Sequence, residues 1–88
     1  MTHLNIKVTG KVQGVWFRRS TLLEAQKLGV SGFVRKEPDG SVYIEAEGNE
    51  EQLKALLDWC SHGPELARVD KVESVEGTLA GFTVFQQR

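Results

Sequence analysis

Ten residues, Gly10-Lys11-Val12-Gln13-Gly14-Val15-Trp16-Phe17-Arg18-Arg19, bring together two glycines, three cations and no acid in an 88-residue chain. A glycine-containing loop that runs into a helix leaves backbone amides unpaired ahead of the first intrahelical bond, and these converge on any anion set at the helix start. Gly14 lets the backbone turn close to a ligand, and Arg18 at the helix entrance offers a two-pronged fork to phosphate or carboxylate oxygens. Neither the GxxxxGK[ST] pattern of a Walker loop nor the GxGxxG dinucleotide pattern is present, so the chemistry read here is anion binding without a nucleotide signature. A plain turn with solvated arginines is the competing reading. Against it, two cations at the positive end of a helix dipole are unfavourable unless something negative sits beside them.

The elements that must carry this loop follow from hydrophobic period. Residues 3 to 9 alternate, with Leu4, Ile6 and Val8 on one face and His3, Asn5 and Lys7 on the other, the pattern of a half-buried strand. Phe17, Thr21, Ala25 and Leu28, with Leu22 beside them, fall at helical spacing, and Gly29 stands where a left-handed cap is wanted. Residues 30 to 35 and 41 to 47 bracket the turn signal KEPDG and read as a hairpin. In its second strand Val42, Ile44 and Ala46 oppose Tyr43, Glu45 and Glu47, so the latter are expected on a solvated sheet face. Asn49 and Gln52 form a capping box for a second helix, whose stripe is Leu53, Leu56, Leu57 and Cys60 and which Gly63-Pro64 ends. An irregular strand is expected over 67 to 76 and a short final one over 82 to 86. The order βαββαβ with a short last strand predicts an α+β, ferredoxin-like sandwich: two helices on one face of a mainly antiparallel sheet.

Composition narrows the function classes. A formal net charge of -1, with 40% hydrophobic and 26% charged residues, fits a folded domain and argues against a general polyanion binder. RNA recognition on the open sheet would need exposed aromatics, and Tyr43 is the one expected there. Cys60 is the only cysteine, which rules out an intrachain disulfide and suits a reducing compartment. No signal-like or membrane-spanning apolar run occurs. The expectation is a single domain over 1-88, cytoplasmic and monomeric, with no nucleic-acid or membrane partner.

Residues 10 to 18, read with Gly32-Phe33-Val34-Arg35 and then Asp39-Gly40-Ser41-Val42 and Gly48, resemble the two signatures of the acylphosphatase family. The resemblance spans residues 4 to 48 by motif and the whole chain by element order. It implies hydrolysis of an acyl phosphate to a carboxylate and inorganic phosphate, without metal or cofactor. It further implies that loop amides of Gln13, Gly14, Val15, Trp16, Phe17 and Arg18 hold the phosphoryl group, with Arg18 as the essential cation.

The second catalytic position implied by the resemblance is Lys36, where the family has an asparagine that positions the attacking water. A protonated lysine has three donors and no acceptor. A lysine here therefore strengthens the hold on phosphate as a point charge while orienting water poorly, and reduced activity is expected. A non-catalytic phosphate-binding or interaction module is the alternative. Asn5 in the first strand and Asn49 at the cap of the second helix are not obvious substitutes for the missing acceptor, Asn5 being the first to test, and Lys36 pointing to solvent is the plain structural reading. Cys60 is expected in the core, His3 and His62 in surface or capping roles, and Trp16 either shielding the anion site or packing across the loop's base.

Overall fold

In the computed structural model, which describes residues 1–88, the chain runs β1 (Thr2–Lys11), α1 (Phe17–Leu28), β2 (Ser31–Lys36), β3 (Val42–Gly48), α2 (Glu50–Cys60), β4 (Arg68–Gly77) and β5 (Phe85–Gln87). The strands form one sheet in the order β4-β1-β3-β2-β5. All pairs are antiparallel except β2 with β5. This is the expected ferredoxin-like arrangement. No helix is long and apolar enough to cross a membrane.

Strand alternation places the core. Ile6 of β1 pairs with Ile44 of β3, which pairs in turn with Val34 of β2, so a row of three fully buried aliphatics crosses the sheet under the helices. Against it pack Phe17, Thr21 and Ala25 of α1 and Leu53, Leu56 and Cys60 of α2. The buried Thr21 hydroxyl donates to the Phe17 carbonyl at 2.8 Å, so no polar atom is stranded there. Truncating Ile44 or Leu56 to alanine in such a core costs about 2–5 kcal/mol. Burial, with the charge of Glu24 adding to it, pushes the Cys60 thiol up to about 12, which fits an inert hydrophobe rather than a nucleophile.

The helix ends follow their sequence signals. Gly29 closes α1 in the left-handed region. The capping box of α2 is formed in both directions, Gln52 N–H to Asn49 Oδ1 at 2.8 Å and Asn49 N–H to Gln52 Oε1 at 2.9 Å. Gln52 Nε2 also donates to the Leu28 carbonyl, tying the start of α2 to the end of α1.

The face away from the helices differs from the expectation. His3 is not a surface or capping residue: it is 4% exposed, and Glu47 is 3% exposed. Glu47 accepts from His3 Nδ1 at 2.7 Å and from the amides of Ala80, Gly81 and Phe82, so the segment after β4 is strapped across this end of the sheet. Phe82 stacks on His3 and meets Phe33 edge-on, which covers what strand alternation alone leaves open to water. Of the three β3 residues expected on the solvated face, Tyr43 and Glu45 keep partial exposure. Tyr43 is pushed up to about 12 by burial and by the Glu45 carboxylate its hydroxyl binds. His62 does remain exposed, with Nδ1 3.0 Å from the Asp58 carbonyl at the end of α2.

Candidate active site

β1 runs two residues further than the alternation indicates, so Gly10 and Lys11 are strand and the loop proper is Val12 to Trp16. Gly14 takes a left-handed conformation at φ 73°, with nothing near the place a side chain would occupy. Trp16, the residue before α1, is also left-handed at φ 66°, which costs a non-glycine residue roughly 1–2 kcal/mol. No side chain caps α1. Its first intrahelical bond runs from Ser20 N–H to the Trp16 carbonyl, so the amides of Phe17, Arg18 and Arg19 precede the hydrogen-bond ladder. Where Asn49 serves α2 with a side-chain oxygen, α1 offers unpaired donors.

Those donors open onto a cavity of about 550 Å³ between the loop, the end of β2 and β5. Gln13, Gly14, Trp16, Phe17, Arg18 and Lys36 line it, so the structure brings together six of the seven residues singled out by sequence. The seventh, Val15, turns its side chain into the core, 4% exposed, and belongs to the loop through its backbone. Arg19 and Gln87 also line the cavity, and sequence reasoning missed Gln87. It arrives through the parallel pairing of β5 on β2, with Val34 opposite Gln87, a long-range register that no local pattern encodes.

The cavity is cationic and has no acidic lining residue. Arg18 pairs with no Asp or Glu side chain, and one donor, Nη1, reaches a main-chain oxygen of Arg88, the last residue, at 3.0 Å, leaving most of its five N–H groups for a ligand. Lys36 is exposed and makes no ion pair within the chain. Alternation along β2 sends Arg35 to the other face, where its guanidinium lies 4.8 Å from the Tyr43 ring centroid. Asn5 is likewise on that face, accepting from His3 and Tyr43, and does not reach the cavity as a substitute acceptor.

A braced turn fixes Lys36 relative to the loop. Gln13 Nε2 donates to the Glu37 carbonyl at 2.8 Å and the Ser41 carbonyl at 2.9 Å. The Ser41 hydroxyl and amide, together with Lys7 at 2.9 Å, hold the Asp39 carboxyl far below the usual carboxylate range. The carboxylate thus stays ionised and the turn stays closed. Trp16 is 74% exposed. It neither packs across the loop's base nor lies buried over the anion site.

An uncapped helix start, a left-handed glycine loop and cations without acidic side-chain partners thus meet at one end of an α+β, ferredoxin-like sandwich. The chain belongs to the acylphosphatase family, whose sequence model matches residues 4–86. It is 46% identical over 84 residues to an acylphosphatase of Thiobacillus denitrificans, covering 93% of this chain and 94% of that one. It is 51% identical over 84 residues to an acylphosphatase of Thermococcus kodakarensis, covering 91% of each. The crystal structure of acylphosphatase from Bacillus subtilis superposes with a TM-score of 0.97 at 34% identity, covering 100% of this chain and 99% of that one.

Proposed function

We propose that the chain hydrolyses acyl phosphates to a carboxylate and inorganic phosphate. The observation that carries this reading is the convergence of the unpaired α1 amides, Arg18 and Lys36 on one cavity. The amides of Gln13 to Arg18 and the Arg18 guanidinium hold the phosphoryl oxygens. Water attacks phosphorus in line, the bond to the acyl oxygen breaks, and the carboxylate leaves with the electron pair. The water's protons pass to the product phosphate and to solvent. In a loose transition state charge spreads over the phosphoryl oxygens, so donors already aimed at them lower the barrier without covalent chemistry. The leaving carboxylate is a weak base and needs no general acid.

Lys36 adds charge but has no acceptor for the water, so turnover is slower than an asparagine there permits. Phosphate release from an acyl phosphate and phosphate binding, each measured on the parent and on Arg18→Ala, test the reading. Arg18→Ala is expected to lose at least about 100-fold in kcat/KM, close to 2.7 kcal/mol, and to weaken phosphate binding. A parent that binds phosphate yet releases none above background is the non-catalytic module instead.

A further inference from the structure

Trp16 stands apart from every other aromatic ring of the chain. Phe17 packs on Trp59, Phe33 meets Tyr43 and Phe82, and His3 stacks on Phe82. Phe85 is buried. Trp16 has no ring or guanidinium partner and is 74% exposed, yet it lines the cavity that holds Arg18 and Lys36. It does so from the one non-glycine left-handed position in the chain, a conformation that bulky residues avoid. With three quarters of its surface open, this ring contributes little packing to set against the strain of its backbone.

We propose that the Trp16 indole is the platform for the acyl group of the substrate and selects acyl phosphates with a flat aromatic acyl part over those with a small aliphatic one. The inference rests on the hydrolase reading above and names the half of the substrate which that reading leaves unplaced. Amides and cations account for the phosphoryl end. A cavity of about 550 Å³ is in the range of whole small-molecule sites, and an acyl phosphate puts its acyl carbon only one bridging oxygen from phosphorus. The group beyond that carbon leaves the cationic end at the cavity's mouth, and Trp16 is its exposed apolar face. A flat ring stacks there with the geometry aromatic pairs favour, while an acetyl group covers little of the indole.

The test compares kcat/KM for benzoyl phosphate and acetyl phosphate in the parent, Trp16→Gly and Trp16→Phe. Glycine accepts the left-handed backbone, so the loop keeps its course. The readout is the ratio of the two substrates, in which any change in the phosphoryl cradle cancels. Trp16→Gly should lower the benzoyl-to-acetyl ratio about tenfold, or about 1.4 kcal/mol, and Trp16→Phe should restore most of it. An unchanged ratio in Trp16→Gly overturns the proposal. A parent that hydrolyses neither compound defeats the hydrolase reading, and the platform is then judged by binding of phenylphosphonate against methylphosphonate. A preference for the phenyl compound that disappears in Trp16→Gly supports the platform, and equal affinity of the parent for both, or binding of neither, overturns it.

Discussion

The side chain of Gln13 bridges two carbonyls of the β2–β3 turn, Glu37 O at 2.8 Å and Ser41 O at 2.9 Å. Both donors of one amide group are thus spent on joining the anion loop to the turn that follows Lys36. The same carbonyls also accept within the turn, from Gly40 N–H and Glu37 N–H, so the turn closes without Gln13. What Gln13 adds is the distance between the loop and Lys36. Gln13→Ala is expected to lower stability by about 1–2 kcal/mol in urea denaturation and to weaken phosphate binding several-fold. Unchanged phosphate affinity would show that the bridge does not set the site's geometry.

Lys36→Asn exchanges a cation for an acceptor at the mouth of the cavity. Misplacing a reactant by a small distance costs up to about 100-fold, so restoring a water acceptor should raise kcat by tenfold or more. Phosphate affinity should fall, because a charge in a cavity without acids is lost. The two changes in opposite directions are the mark of a residue that holds ground state better than transition state. A variant no faster than the parent would remove Lys36 as the limit on turnover.

The two helices, the hairpin and the capping box were legible in sequence because each is written in a local period or a short-range cap. The position of the loop ahead of α1 was legible for the same reason: Gly14 and Arg18 sit at fixed offsets from the start of α1. The fate of His3 and Glu47 was not. Alternation puts them on the face away from the helices, and only the return of residues 80 to 82 across that face buries them. β4 reads as irregular because its valines are broken by charges, yet it pairs with β1 over its whole length, with one register shift between Thr9 and Gly10. An edge strand needs one apolar face at most, so charges interrupt its pattern without interrupting its hydrogen bonds. Gln87 entered the site by the same long-range route, through β5.

Gly32 sets how closely β2 can lie against β3. Its φ is 141°, and a side-chain carbon added there would overlap the carbonyl oxygen of Glu45. The obstacle is backbone in the middle of the sheet, flanked by Ala46 on one side and Phe85 on the other, so it cannot swing aside. Gly32→Ala is expected to cost more than about 3 kcal/mol or to prevent folding. Gly14→Ala, with nothing within 4 Å of the added carbon, should cost only the roughly 1–2 kcal/mol of a left-handed alanine. Thermal unfolding of the two variants compares them directly, and equal losses would refute the backbone clash.

The His3–Glu47 pair predicts a stability profile with a maximum on the acid side of neutrality. His3 Nδ1 faces the Glu47 carboxylate, while Nε2 faces Asn5 Oδ1 at 2.9 Å and the Glu45 carboxylate at 3.2 Å, so both ring nitrogens meet acceptors and the imidazolium fits. Burial pulls the His3 pKa down, but the bonds to Glu47 and Asn5 and the charges of Glu45 and Glu47 outweigh it and leave it above the ordinary 6.5. Burial likewise pushes Glu47 up, and the Ala80 amide, His3 and the amides of Phe82 and Gly81 outweigh that and hold it below 4.5. The raised histidine contributes stability that is complete below 6.5 and fades as pH climbs through its folded value. The lowered carboxylate contributes stability that is complete above 4.5 and fades as pH drops through its own. Both are therefore present together between 4.5 and 6.5. The parent's Tm should fall as pH rises above 6.5 and through the folded value of His3, and His3→Gln, which keeps a hydrogen-bonding side chain but cannot titrate, should flatten that fall. Glu47→Ala should cost about 3–5 kcal/mol near pH 5.5, since it takes the acceptor from His3 Nδ1 and from three amides at once and leaves Glu45 as the only carboxylate facing the imidazolium. A parent and His3→Gln with parallel Tm profiles across this range would mean that folding leaves the His3 pKa unshifted and would overturn the raised value.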